Sequence, residues 1–178
     1  NDASHVLLNN IIIKSNISND MGGALLIRQS SIVTISNSII DSNTGARGGG
    51  MLIGEESFVT LDNVTISNNI ANISYGGAIA ISDRADMNIS NCQILNNSSL
   101  TGGGGIWAKY SSTNSTIVNI DSTEISGNID NSLGGGILII DADVTISNST
   151  ISNNFASSSG DYTGGGGINI NGGNMALT

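Results

Sequence analysis

Acid, base, nucleophilic or metal chemistry in this 178-residue chain rests on fourteen Asp and Glu, five Lys and Arg, one His and one Cys. Asp62 and Asp121 form the pair best suited to general acid and base work, since each stands three residues into a repeated block and so projects from the same face. Two repeat steps separate them, roughly 10 Å at the ~4.8 Å spacing of paired strands, the long end of the range for inverting glycosidases. No Arg joins that face, and His5 has no visible partner. A polysaccharide-active enzyme is therefore the third reading, behind two that need no catalysis. Other carboxylates gather ahead of the block openings: Glu55 and Glu56, Asp83 and Asp86, Asp141 and Asp143. Oxygen-only ligands without His suit calcium. The glycine-aspartate nonapeptide of calcium-binding β-rolls is missing, so a solvated acidic corner is preferred and no metal or other cofactor is expected. Cys92 excludes an internal disulfide, and it takes the place of Val64 and Ile11 in other blocks, which reads as a buried small hydrophobe.

The element that must position these residues is a repeat. An apolar residue opens each copy at Val6, Val33, Val59, Met87, Val118, Val144 and Met175, with steps of 27, 26, 28, 31, 26 and 31 residues. An Ile falls seven residues later (Ile13, Ile40, Ile66, Ile94, Ile125, Ile151) and an Asn ten later: Asn16, Asn43, Asn69, Asn97, Asn128, Asn154. A second Asn recurs four residues after the opener, at Asn10, Asn37, Asn63, Asn91 and Asn148, with Ser122 replacing it once. A Gly-Gly pair closes each copy, at Gly22-Gly23, Gly49-Gly50, Gly76-Gly77, Gly104-Gly105, Gly135-Gly136 and Gly166-Gly167.

Within the constant block, apolar residues alternate with Thr and Ser at the period of two that belongs to strands. Asn, Asp, Ser and Gly collect at the breaks, where they make tight corners. The chain reads as an all-β solenoid, a parallel β-helix of about six coils of 26–31 residues with three short strands per coil. Residues 1–178 form one such array, expected to be a piece of a longer one because free solenoids need capping ends. The invariant Asn column is expected to be structural, its stacked amides bonding along the rod.

In the strand after Gly-Gly, the first and third positions are expected to point inward: Ala24/Leu26, Met51/Ile53, Ala78/Ala80, Ile106/Ala108, Ile137/Ile139 and Ile168/Ile170. The second and fourth then form an apolar outer strip from Leu25, Ile27, Leu52, Ile79, Ile81, Trp107, Leu138 and Ile140, a candidate interface for another chain. The opening strand shows Thr34/Ser36, Thr60/Asp62, Asn88/Ser90, Asn119/Asp121 and Thr145/Ser147, a hydroxyl-rich face expected to be solvated. Two insertions, 109–117 and 155–164, carry or adjoin Trp107, Tyr110 and Tyr162, mild support for a contact site. Eight Asn-x-Ser/Thr sequons occur, of which Asn72 and Asn114, in turns, are the candidate glycosylation sites.

A net charge of −9 argues against nucleic acid and anionic membranes as partners, and no apolar run reaches the length of a membrane span. Aromatics are 3% of the chain and proline is absent, so aliphatic ladders must fill the core. The pairing of Gly-Gly-Ala-Ile (Gly76 to Ile79) and Gly-Gly-Ala-Leu (Gly22 to Leu25) with Ile-x-x-Asn resembles the GGA[ILV] and FxxN repeats of the chlamydial polymorphic outer membrane proteins. Ile replaces the usual Phe, and several copies read Gly-Gly-Ile or Gly-Gly-Met. The resemblance implies a right-handed, pectin-lyase-like β-helix and a surface-exposed passenger that acts in adhesion. The leading expectation is a structural or adhesive stalk at the cell surface or outside the cell, meeting other protein chains or glycans. The alternative is a self-assembling filament or sheath subunit.

Overall fold

The computed structural model describes residues 4–110, 116–157 and 164–178, and every regular element among them is a β-strand. The strands stack in parallel register into three sheets of eleven, five and six strands that run the length of the rod. The five coils that open at Val33, Val59, Met87, Val118 and Val144 each contribute to all three sheets in turn, whereas the first coil meets the second sheet only through the isolated Ile17–Thr44 bridge. The path of a coil is clearest in the strand Ile32–Asp41, followed by Thr44–Gly45 and Met51–Ile53.

The corners follow from residues that tolerate positive φ. The recurrent Asn four residues after each opener bends the first sheet: Asn37, Asn63, Asn91 and Asn148 have φ of 50, 54, 54 and 48°, and Ser122, the one replacement, has 48°. Left-handed conformations are costly for most L-residues and least so for Gly and Asn, which is why short polar residues hold this column. The opener, the residue two further on and the Ile at seven all point into the lumen. In the middle coils these residues are buried, as with Val59, Leu61 and Ile66 or Met87, Ile89 and Ile94. Each such aliphatic contributes about 1.5–3 kcal/mol on leaving water. They form one continuous core with the inner residues of the third sheet.

Two polar ladders run inside this core. The backbone N–H and Nδ2 of Asn69 both donate to Asn97 Oδ1, at 2.9 and 3.0 Å, while Nδ2 also donates to the Ile40 carbonyl at 3.0 Å. Asn43, Asn97 and Asn128 repeat the pattern, Asn16 begins it, and Asn154 closes it through the Ile125 carbonyl. The four central residues are completely buried, yet their amides are fully bonded. The second ladder is less visible in the sequence. Ser38, Cys92, Thr123 and Ser149 each accept a backbone N–H from the preceding coil and donate to the carbonyl two residues back. Cys92 is buried as expected, but it acts as a hydrogen-bonding member of a hydroxyl column. Burial pushes its thiol pKa up to about 11.

Candidate functional site

The third sheet corrects the expected facing of its first and third strands. The register pairs Leu25 with Met51 and Met51 with Ile79, then Ile79 with Ile106. Ile27, Ile53 and Ile81 form the parallel column. Leu25, Ile27, Ile79 and Ile81 therefore point into the core, and the last two are fully buried in it. The repeating unit is Gly-Gly-(Gly or Ala)-apolar: Ala24 and Ala78 occupy the place of Gly50, Gly105 and Gly136, so counting from the last Gly of a pair shifts two coils by one residue. A one-residue shift flips every side chain across the sheet. Leu26, expected inside, is instead outside and 48% exposed.

The outer strip is therefore Leu26, Leu52, Ala80, Trp107 and Leu138, with Ile140 beside it. Much of it is covered by the chain itself. Tyr75 lies over Ala80 and stacks on Trp107, ring centroids 3.7 Å apart and planes 15° from parallel. Ala80, Trp107 and Leu138 are buried in this second cluster, with Leu52, Leu133 and Ile140 packed around them. The Arg47 guanidinium sits 5.9 Å from the Tyr75 ring centre, within reach of a cation–π attraction. Gly102 makes room for the stack: a Cβ there would meet Leu138 Cδ2 at 2.6 Å and Trp107 Cδ1 at 3.2 Å. Tyr75 and Leu133 each directly precede the first Gly of a closing unit, and that shared position is the signal that could have revealed the cover. Next to the stack, Tyr75, Ser82, Asp83, Trp107, Lys109 and Tyr110 line an open recess of ≈ 360 Å³.

The carboxylates proposed for acid–base work are committed to neighbouring coils. Asp62 Oδ1 accepts from Ser90 Oγ at 3.0 Å and Asn91 Nδ2 at 2.7 Å, and Asp121 Oδ1 from Ser147 Oγ and Asn148 Nδ2 at 2.6 and 2.9 Å. The acidic corner carries ion pairs, Arg28 with Glu55 and Arg84 with Glu56. The calcium candidates form two pairs, Asp83 with Asp86 and Asp141 with Asp143, on coils two steps apart: Asp86 accepts the Ile117 N–H and Asp143 accepts from Asn174 Nδ2, while Asp83 and Asp141 are exposed. Among the described residues no three His, Cys, Asp or Glu are grouped to hold a metal ion. Asn72 is exposed in its turn, whereas Asn114 and Tyr162 lie outside the described residues.

A family model described as a right handed beta helix region matches residues 2–178. The chain belongs to this family. The three parallel sheets with a continuous lumen are its architecture, and the right-handed sense of the coil comes with membership. No curated protein and no solved structure matches the chain.

Proposed function

We propose that this β-helix is a non-enzymatic structural and adhesive stalk segment, carried outside the cell or on its surface in the manner of the polymorphic outer membrane proteins whose repeats it resembles. The supporting observation is where its polar chemistry goes. Asp62, Asp121, Cys92 and the buried Asn column are bonded from coil to coil, which suits a rod whose task is to stay assembled. The open recess beside its Tyr75–Trp107 stack is a feature suited to meeting glycans or other proteins. The test coats beads with the purified segment, measures their attachment to host and bacterial cells, and assays the same protein for cleavage of a polysaccharide panel. Attachment without cleavage is the expected outcome. Cleavage that disappears in Asp62→Asn or Asp121→Asn would replace this reading with the enzymatic one.

A second reading, lateral self-assembly into a filament or sheath, draws on the second sheet. Ile70, Ile129 and Phe155 stand in one uncharged outward row at 44, 45 and 57% exposure. Concentration-dependent sedimentation that Ile129→Lys abolishes would favour it over the solitary stalk.

A further inference from the structure

We infer that the recess beside the Tyr75–Trp107 stack is a binding site for one or two units of a neutral saccharide; the inference rests on the adhesive reading and names the ligand class of that surface. The chain has six aromatic residues, one Trp, three Tyr and two Phe, and three of them, Tyr75, Trp107 and Tyr110, wall this single recess. Such a concentration in a chain that is 3% aromatic marks a place where flat, amphipathic surface is used.

Its polar groups complete the case. Ser82 and Asp83 come from one corner and Lys109 from the end of the strand Ile106–Lys109, so a hydroxyl, a carboxylate and an ammonium line the same opening as the rings. Adjacent sugar hydroxyls both donate and accept, and a site offering an acceptor-only carboxylate beside a donor-only ammonium satisfies both roles. The exposed lining is mostly polar, which suits a ligand covered in hydroxyls, and the aromatic rings contribute edges at its rim. A volume of ≈ 360 Å³ lies at the small end of ligand sites and suits a mono- or disaccharide. Acidic sugars are disfavoured by Asp83 in the recess and by the −9 charge of the chain. The site is held rigid from below. Trp107 is only 6% exposed, fixed by Tyr75 on one side and by Leu138 and the Gly102 gap on the other, so little side-chain order is lost on binding.

The experiment uses the lone Trp as reporter. The chain is titrated with maltose, cellobiose, lactose and chitobiose, and with digalacturonate as the acidic control, following Trp107 emission and, in parallel, the heat of binding. Saturable binding of at least one neutral disaccharide in the millimolar range is expected, with no response to digalacturonate. Asp83→Asn and Tyr110→Ala should each weaken it about tenfold or more, consistent with losing one charged hydrogen bond or one ring contact. Lys109→Ala serves as a third variant, and unchanged circular dichroism shows that each variant folds. No saturable binding by either signal, or binding unaffected in all three variants, would overturn the inference. The same variants are run in the bead assay. Cell attachment that persists without sugar binding removes this site and leaves the stalk; sugar binding without cell attachment removes the stalk and leaves the site.

Discussion

Ser147 Oγ lies 2.6 Å from Asp121 Oδ1, one coil away, and the next residue, Asn148, donates to the same oxygen. The relationship recurs along the face. Asn9 receives Ser36 and Asn37, and Asp62 receives Ser90 and Asn91. Asp41, beyond the Asn37 bend of the same strand, receives Ser67 and Asn68. An acceptor on one coil thus meets a Ser-Asn pair on the coil that follows.

These bonds predict acid sensitivity. The Ser147 hydroxyl and Asn148 amide hold Asp121 below the ordinary carboxylate range, Asn91 and Ser90 do so for Asp62, and Asn68 and Ser67 for Asp41. A lowered folded value means the stabilisation is complete above the unfolded pKa of ~3.9 and is lost as pH falls through the lower folded values. Asp130 has the opposite sign, since burial raises it despite the Ser99 hydroxyl bond, and its contribution is lost as pH rises from ~3.9 through its folded value. Thermal melts should show Tm falling as pH drops below about 4, and the combined Asp41→Asn, Asp62→Asn and Asp121→Asn variant should show a flatter acid limb.

The Asn column predicts a cost that depends on position. Asn97→Ala removes the acceptor for two Asn69 N–H groups and the donor to the Ile66 carbonyl, all buried, and should cost about 3 kcal/mol or more in urea unfolding. Asn16→Ala, at an exposed place in the same column, should cost about 1 kcal/mol or less.

Adjacent glycines should differ in tolerance. A Cβ on Gly104 would stand 2.5 Å from both the Gly135 and Ile129 carbonyl oxygens, with backbone on every side. A Cβ on Gly105 would meet one backbone oxygen, Gly136 O at 2.6 Å, but its other near neighbours belong to the Asn128 side chain, and Ala24 and Ala78 fill the same place in other coils. Gly104→Ala should severely destabilise the chain, whereas Gly105→Ala should lower Tm by clearly less, as circular dichroism melts can check.

Cys92 should be inert while folded. Its thiol is 2% exposed with a pKa near 11, so a disulfide reagent at pH 8 should label it only after denaturant is added. Cys92→Ser should retain the fold, because Ser38 and Ser149 fill the same column. Fast labelling of the native chain would contradict this account of the second ladder.

The constant block was the legible part of this chain. Strand alternation, the Asn column and the buried openers follow from residues whose spacing never changes. The facing of the third sheet was less legible because Gly-Gly-Gly-Ile and Gly-Gly-Ala-Ile admit two alignments, and glycine has no side chain with which to choose between them. Only the pairing of Leu25 with Met51, and of Met51 with Ile79, settles it. The aromatic cover was hidden for another reason. Tyr75 and Trp107 are 32 positions apart and belong to different coils, and only the place that Tyr75 shares with Leu133, directly before the first Gly of a closing unit, hints at the contact.

Each internal Asn of the buried column donates to the amide oxygen of the higher-numbered coil and to a main-chain carbonyl of the lower-numbered one, whose own Asn donates to it in turn, so the two faces of an internal coil are complementary and repeat from coil to coil. Removing or doubling a whole coil such as 33–58 would rejoin donor to acceptor with nothing left over. The natural unit of change in this chain is thus a full turn, and its length can grow or shrink by turns while the outward surface varies independently.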